Sequence, residues 1–278
     1  MPFDVTTLNA SAHAPFVIAG PCVIESKELL REVASVLKPL CDALGVPLVF
    51  KSSYRKANRT SAGSFEGVGD ETALGYLADI RAEFDVPVLT DIHAAPEAAL
   101  AARFGVDVLQ IPAFLSRQTD VIAAAAATGK LVNIKKGQFL APDDMPKAVE
   151  KVRTVQKTHP VWVTERGTSF GYHDLVVDMR SLGMMRSSLE GNNCRIIYDA
   201  THSVQQPSVG AQSGGKREFV QPLARAAVAM GIDGLFFETH PNPAAAKSDA
   251  ATQLPLRDAE PFLRQILALH QALHQTLR

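Results

Sequence analysis

Short apolar runs rich in β-branched residues alternate with longer helical patterns along the whole chain. The runs are Phe16–Ala19, Val46–Lys51, Val86–Ile92, Val106–Ile111, Leu131–Lys135, Val161–Glu165, Arg195–Asp199 and Gly234–Glu238. Several are almost continuously apolar rather than alternating, the pattern of strands buried on both faces. Between the first two, Lys27–Leu44 places Leu30, Val33, Ala34, Leu37 and Leu40 near helical spacing, with Ser26 as N-cap. Gly45-Val46-Pro47 ends that helix and opens the next strand. Glu71–Phe84, Pro96–Phe104, Thr119–Thr128, Met145–Thr158, Leu175–Met185, Glu218–Met230 and Asp258–Leu277 fill the other gaps. Strand starts recur every ~20 to 40 residues, the size of a βα unit. Eight such units in one series predict an α/β protein, a single (β/α)8 TIM barrel over residues 1–278. Residues 1–15 form an extension ahead of the first strand. An open doubly wound sheet is the competing reading, and it would often carry a Gly-x-Gly-x-x-Gly turn, which is absent.

Composition narrows the function classes. The 278 residues carry 28 Lys+Arg against 29 Asp+Glu, and 46% are hydrophobic. A disordered chain is excluded, and a general nucleic-acid partner is not expected without a basic excess. Met1–Pro15 lacks the basic start and apolar middle of a secretory signal, and no run approaches the length of a bilayer span. No membrane association is expected. Three cysteines, Cys22, Cys41 and Cys194, do not form a disulfide framework or a C-x-x-C motif, which suits a reduced cytoplasmic protein.

In a barrel of this kind, chemistry collects at the C-terminal strand ends. In order, those ends are Gly20-Pro21-Cys22; Lys51-Ser52-Ser53 followed by Lys56, Asn58 and Arg59; Asp91 and His93; Gln110; Lys135-Lys136; Glu165-Arg166; Asp199 with Thr201 and His202; and Glu238-Thr239-His240. Lys51, Lys56, Arg59, Lys135, Lys136 and Arg166 are enough cations for two phosphates, or for a phosphate and a carboxylate. Cys22, His202, Glu238 and Asp249 make a mixed S/N/O set for one divalent metal, at neighbouring strand ends because the eighth strand closes on the first. A buried small hydrophobe is the competing reading of any lone cysteine, and it is the one taken for Cys41 and Cys194.

Several segments carry a more specific likeness. Phe16-Val-Ile-Ala-Gly-Pro-Cys-Val-Ile-Glu-Ser26, Phe50-Lys-Ser-Ser-Tyr-Arg-Lys-Ala-Asn-Arg-Thr-Ser61 and Ile111-Pro-Ala-Phe-Leu-Ser-Arg-Gln-Thr-Asp120 are three. Asn133-Ile-Lys-Lys-Gly-Gln-Phe139, Thr164-Glu-Arg-Gly-Thr-Ser-Phe-Gly-Tyr172, Asp199-Ala-Thr-His-Ser203 and Glu238-Thr-His-Pro241 are the others. Together they resemble the 3-deoxy-D-manno-octulosonate 8-phosphate synthase family. The resemblance implies the same barrel, a homotetramer, and condensation of phosphoenolpyruvate with arabinose 5-phosphate for lipopolysaccharide synthesis. The relatives that use erythrose 4-phosphate, the 3-deoxy-7-phosphoheptulonate synthases, are the alternative. Their second-strand loop typically reads Lys-Pro-Arg-Thr, whereas this chain has Lys56-Ala57-Asn58-Arg59. Thr60 stands where the family more often has Ser, and a hydroxyl is kept. The family's metal-free branch has Asn in place of Cys22 and Cys-Asp-Gly-Pro in place of Ser248-Asp249-Ala250-Ala251, so this chain is similar to the metal-dependent branch.

The resemblance also implies roles. Lys51, Ser53, Lys56, Lys135 and Arg166 hold phosphoenolpyruvate, with Gln110 and Ala113 lining its pocket. Asn58, Arg59 and Thr60 hold the sugar phosphate. Arg117 reaches a neighbouring subunit's site, unless it is an ordinary helix-start arginine. Cys22, His202, Glu238 and Asp249 ligate the metal; Fe2+, Zn2+ or Mn2+ suits them better than Mg2+. Lys56, His202 and Cys22 are the expected catalytic groups, Lys56 as proton donor to the aldehyde oxygen. Strand parity turns Lys135 inward and Lys136 outward, so Lys136 is read as a solvated or supporting charge. His93 and His240 are read as supporting groups, while His13, His159, His173, His270 and His274 receive no role. Ser213-Gly-Gly-Lys-Arg217 lacks a phosphate-loop frame, and Gln205–Lys216 is read as a lid. A Schiff-base lysine and a barrel that only binds a sugar phosphate are the competing chemistries.

Overall fold

The structure, a computed structural model, describes residues 4–8, 14–57, 65–207 and 213–276. Eight parallel strands close into a barrel: β1 Phe16–Gly20, β2 Leu48–Lys51, β3 Val88–Asp91, β4 Val108–Ile111, β5 Leu131–Lys135, β6 Val161–Glu165, β7 Cys194–Asp199 and β8 Gly234–His240. β8 pairs back on β1 from Phe16–Gly234 to Gly20–Glu238, which completes the ring. Helices α1 Lys27–Leu44, α2 Asp70–Phe84, α3 Ala95–Arg103, α4 Thr119–Ala127, α5 Met145–Arg153, α6 Arg180–Ser188, α7 Val220–Ala229 and α8 Ala259–Thr276 surround it. The chain therefore folds as the (β/α)8 barrel its periodicity predicts. Among the described residues, no helix is long and apolar enough to cross a membrane.

Period-two alternation divides each strand between two apolar cores. Phe16, Ile18, Val49, Leu89, Val108, Leu131, Trp162, Ile197 and Phe236 pack together inside the barrel. Their neighbours Val17, Ala19, Phe50, Val88, Leu109, Val132, Val163 and Leu235 belong to the core under the helices. Carrying the inward parity two residues upward from the inner core reaches Lys51, Asp91, Gln110, Asn133, Thr164, Asp199 and Glu238, and four upward reaches Lys135 and Arg166. The same alternation that fills the barrel floor with apolar side chains thus lines its mouth with polar ones. At the opposite end, Asp4 caps the short helical turn Val5–Thr7, and Val5 and Leu8 join the inner core, closing the floor. Arg195 Nε donates to the Leu8 carbonyl at 2.9 Å and holds this extension in place.

Local signals account for most boundaries. The Ser26 hydroxyl accepts from the Leu29 amide, and Gly45 takes the left-handed conformation that ends α1. α6 begins at Arg180, not at the expected Leu175. Leu175 and Val176 lie instead in a hairpin, Thr168–Gly171 against Asp174–Val176, and the Asp178 carboxylate accepts the Arg180 amide to start the helix. α5 stops at Arg153 rather than Thr158, where the Thr154 hydroxyl bonds back to the Lys151 carbonyl and Arg153 reaches the His159 carbonyl. Gly20 marks a close strand approach at the mouth: a Cβ there would lie 2.0 Å from the Lys51 carbonyl oxygen. Gly20→Ala is expected to destabilise by about 1–3 kcal/mol in urea unfolding, because two paired backbones must separate.

Candidate active site

Asp199 organises the β7 end of the mouth. Its Oδ1 accepts the Thr201 and His202 amides at 3.1 and 2.9 Å, which forms the turn, and its Oδ2 accepts His202 Nδ1 at 2.8 Å and Lys135 Nζ at 2.6 Å. Burial alone would push this carboxyl up, but the His202 and Lys135 charges hold it well below the usual carboxylate range. Lys135 also lies 3.4 Å from the centroid of the Phe236 ring, a cation–π contact in a water-poor setting. With Nδ1 bound to Asp199, His202 turns Nε2 toward Glu238 Oε1 and Asp249 Oδ2, each 3.7 Å away.

The β8–β1–β2 seam carries the complementary cluster. Lys51, 1% exposed, donates to Glu238 Oε1 at 2.5 Å and to the Cys22 carbonyl at 2.9 Å. Cys22 Sγ contacts Asp249 Oδ2 at 3.0 Å. Donor atoms of Cys22, Glu238 and Asp249 lie within 4.8 Å of one another and could hold a metal ion. Glu238 Oε2 is buried without a hydrogen-bond partner, an oxygen that a cation would satisfy. Burial pushes the Cys22 thiol well up, and the Asp249 and Glu238 charges add to it. His202 is raised to about 9: burial opposes its charge, but Asp199 and Glu238 outweigh burial.

Below these groups a hydrogen-bond chain crosses four strands. Thr164 Oγ1 donates to Asn133 Oδ1 at 2.7 Å, Asn133 Nδ2 to Gln110 Oε1 at 2.8 Å, and Gln110 Nε2 to Asp91 Oδ1 at 2.6 Å. Ser53 Oγ closes the chain on Asp91 Oδ2 at 2.5 Å. Both ends of the Gln110 amide are therefore engaged inside the barrel. Asn133 and Thr164 share the inward parity of Lys135 and Arg166, so strand alternation could have found them.

Arg166 is 5% exposed; its Nη2 donates to Gln205 Oε1 at 3.1 Å, and its Nη1 is buried without a partner. Gln205 Nε2 donates to Asp249 Oδ1 at 2.6 Å, so one amide links the arginine to the carboxylate cluster. No local pattern in the sequence marks Gln205 or Gln253, whose Oε1 accepts the Cys22 amide at 3.3 Å. Gln205–Gln206 pairs antiparallel with Gly214–Gly215, and the middle of the expected lid, residues 208–212, lies outside the described residues. Asn58, Arg59 and Thr60 also lie outside them. Lys56 is partly buried, and the charges of Cys22, Glu238 and Asp249 raise its ammonium pKa against the pull of burial. Ala113 is buried beyond β4, while Arg117 is exposed in the turn before α4, its carbonyl accepting Lys151 Nζ at 2.6 Å.

Two readings of single residues need correction. Lys136 is not solvated: it points outward, as parity requires, but into the wall between barrel and loops, where it is 0% exposed. It bonds Thr168 Oγ1 at 3.0 Å and the Leu140 and Gly167 carbonyls, and lies 3.5 Å from Glu165 Oε1. Glu165 in turn accepts the Gly167 amide and the Ser181 hydroxyl, each at 2.7 Å. This pair ties the loop after β5 to the turn that carries Arg166. Cys194 is only partly buried, because it begins β7 at the open edge of the floor; Cys41 is buried in α1 as expected.

A closed barrel whose mouth joins buried cations to a thiol and carboxylates belongs to the class that handles small anionic substrates at the strand ends. The chain belongs to the DAHP synthetase I family, whose model matches residues 5–275. It is 54% identical over 263 residues to the 2-dehydro-3-deoxyphosphooctonate aldolase of Bordetella pertussis, covering 92% of this chain and 90% of that protein. The aldolases of the same name from Rhodopseudomonas palustris and an Azoarcus species are 55% and 53% identical, over 90% and 92% of this chain and 86% and 91% of theirs.

Removing the Lys136 ammonium should leave Glu165 charged and buried without a counter-ion. Lys136→Met is expected to cost about 3–5 kcal/mol in urea unfolding, well above an exposed-lysine control such as Lys147→Met.

Proposed function

We propose that the protein condenses phosphoenolpyruvate with arabinose 5-phosphate and water, giving 3-deoxy-D-manno-octulosonate 8-phosphate and inorganic phosphate for lipopolysaccharide synthesis. One observation carries this reading: an inward row of cations, Lys51, Lys135 and Arg166, meets a cysteine–carboxylate cluster at a single barrel mouth, and the guanidinium keeps a buried, unpartnered N–H. The names of the aligned relatives support the five-carbon sugar phosphate over erythrose 4-phosphate.

Phosphoenolpyruvate carries three negative charges when fully ionised, and Lys51, Lys135 and Arg166 offset them without reorganising, because Glu238, Asp199 and Gln205 already orient them. Ser53, Lys56, Gln110 and Ala113 complete that pocket; Gln110 acts mainly by holding Asp91, since its amide is engaged. Asn58, Arg59 and Thr60 hold the sugar phosphate, and Arg117 completes the site of a neighbouring subunit in a homotetramer. Cys22, His202, Glu238 and Asp249 would hold one divalent ion, Fe2+, Zn2+ or Mn2+, which fits the soft sulfur donor and the unpartnered Glu238 oxygen. When bound, such an ion supplies Lewis acidity toward the aldehyde or a water. The phosphoenolpyruvate methylene carbon bonds to the aldehyde carbon while Lys56 gives a proton to the aldehyde oxygen. Water adds to the middle carbon, giving up one proton that restores the Lys56 ammonium, and the resulting phosphohemiketal collapses to the ketone as its C–O bond breaks and phosphate leaves with the hydroxyl proton. Gln205 and His202 flank the reacting groups from the β7 side. The protein acts in the cytoplasm, without a nucleic-acid or membrane partner.

Phosphate release is the deciding measurement. Release is expected with arabinose 5-phosphate and phosphoenolpyruvate, lost after thorough chelation and restored by Fe2+, Zn2+ or Mn2+. Activity that survives complete metal removal would overturn the ligand assignment of Cys22, and a preference for erythrose 4-phosphate would overturn the substrate. Borohydride in the presence of substrates should trap no lysine adduct. Lys135→Met should raise the phosphoenolpyruvate KM by at least ~10-fold, since it removes a buried charge-assisted contact.

A further inference from the structure

A second buried charged cluster lies beside the mouth, between the segment after β2 and the start of α3. Its centre is Glu97, whose side chain is 8% exposed. Glu97 Oε2 accepts the Tyr54 hydroxyl, the His93 amide at 2.8 Å and His93 Nδ1 at 3.2 Å. Glu97 Oε1 accepts Arg55 Nη2. Arg55 Nη1 reaches on to Asp70 Oδ2, at the first residue of α2, over 3.4 Å. Tyr54 is fully buried, and its amide donates to Thr90 Oγ1 of β3 at 3.0 Å. Burial pushes the Glu97 carboxyl up, but the bonds from His93 and Tyr54 bring it down to about 2, so it is ionised at neutral pH.

These bonds converge on a stem. Arg55 bridges antiparallel to Gly67, and the Lys56 amide donates to the Glu66 carbonyl at 2.8 Å. A Cβ on Gly67 would lie 3.0 Å from the Tyr54 carbonyl oxygen, so the two arms touch backbone to backbone. Lys56 sits at the end of the first arm, where its ammonium feels Cys22, Glu238, Asp249 and Asp91. The other cations of the mouth do not pass through the stem: Lys51 and Lys135 end β2 and β5, and Arg166 directly follows β6.

We infer that Glu97 is a positioning residue: through Tyr54 and Arg55 it locks residues 54–56 against 66–67, and so sets where Lys56 enters the mouth. The kinetic half of this inference rests on the proposed function; the structural half does not. Glu97 touches no reacting atom. Its charge holds Arg55, its second oxygen holds Tyr54, and the two together fix the direction in which the chain enters the mouth. A neutral amide at this position keeps the size but loses the ion pair with Arg55.

Two readouts on the metal-loaded protein test it. In Glu97→Gln, hydrogen exchange of the amides at 54–56 and 66–67 should accelerate ~10-fold or more, with those of β1 and β5 unchanged. The KM for arabinose 5-phosphate should rise by ~10-fold and the affinity for phosphoenolpyruvate should fall as well, because Lys56 is placed at both substrates, whereas Lys135→Met, which lies off the stem, should leave exchange at 54–56 and 66–67 unchanged. Arg55→Met should reproduce both effects, and the double variant should be no worse than either single one. Unchanged exchange at the stem, or equal acceleration across all strands, would overturn the lock. Local acceleration with the kinetic constants for both substrates unchanged would overturn the effect on Lys56. A wild-type protein that ignores arabinose 5-phosphate would instead refute the proposed function, and the exchange result would still decide the lock.

Discussion

The mouth of this barrel depends on the buried ion pair between Lys51 and Glu238. Neither side chain reaches water, and each would be costly to bury alone. The pair exists because β8 closes on β1 in a register that sets Gly20 opposite Glu238, while β1 pairs with β2 and brings Lys51 next to the same seam. Gly20 keeps the backbones close enough for the Lys51 ammonium to reach the Cys22 carbonyl as well as the carboxylate. Once that cation is fixed, Cys22, Glu238 and Asp249 are drawn into one cluster, and the remaining positive groups take places around it. The whole constellation follows from closing a sheet whose inward residues turn polar at one level.

Electrostatic balance at that level is local rather than global. Asp199 is held between Lys135 and His202, Asp91 between Ser53 and Gln110, and Glu238 against Lys51. Each of these acids has a partner, and among the described residues the buried groups left without one include a guanidinium N–H of Arg166 and an oxygen of Glu238. One is a donor suited to an anion, the other an acceptor suited to a cation. Gln205 lies between them and bonds to Arg166 and to the carboxylate cluster. A site arranged in this way is incomplete toward both kinds of ligand while Lys51, Lys135, Asp91 and Asp199 are already fixed, which is how binding energy is directed to the substrate rather than to rearrangement.

Two further charged clusters stand outside the barrel lumen and act on its rim. Lys136 and Glu165 join the loops after β5 and β6 behind Arg166. Glu97, with Tyr54 and Arg55, joins the stem after β2 to α3 behind Lys56. In both, the residue that faces the mouth has a neighbour buried in the wall, Glu165 next to Arg166 and Tyr54 two positions before Lys56. The wall residue fixes the backbone, and the backbone aims the mouth residue.

The hydrophobic pattern alone determined the eight βα units, because a strand buried on both faces and an amphipathic helix leave different periods in the chain. It also determined the inward parity of Lys135 and the outward parity of Lys136, since alternation along a strand is a local property. The polar strand ends and the family likeness were legible for the same reason: they lie in short, contiguous segments. What only the tertiary structure decided is which distant residues share a partner. Nothing near Gln205 marks it as the link between Arg166 and Asp249, and nothing near Glu97 marks Tyr54 and Arg55, more than forty positions earlier, as its partners. The hairpin that displaced the start of α6 was hidden likewise, because Leu175 and Val176 fit a helical pattern until Thr168 and Ser169 offer them a strand. Local periodicity records which face of an element is buried. It does not record what lies across from that face, and the partner across the gap decides whether a buried charge is stabilised, left free for a ligand, or used to aim its neighbour.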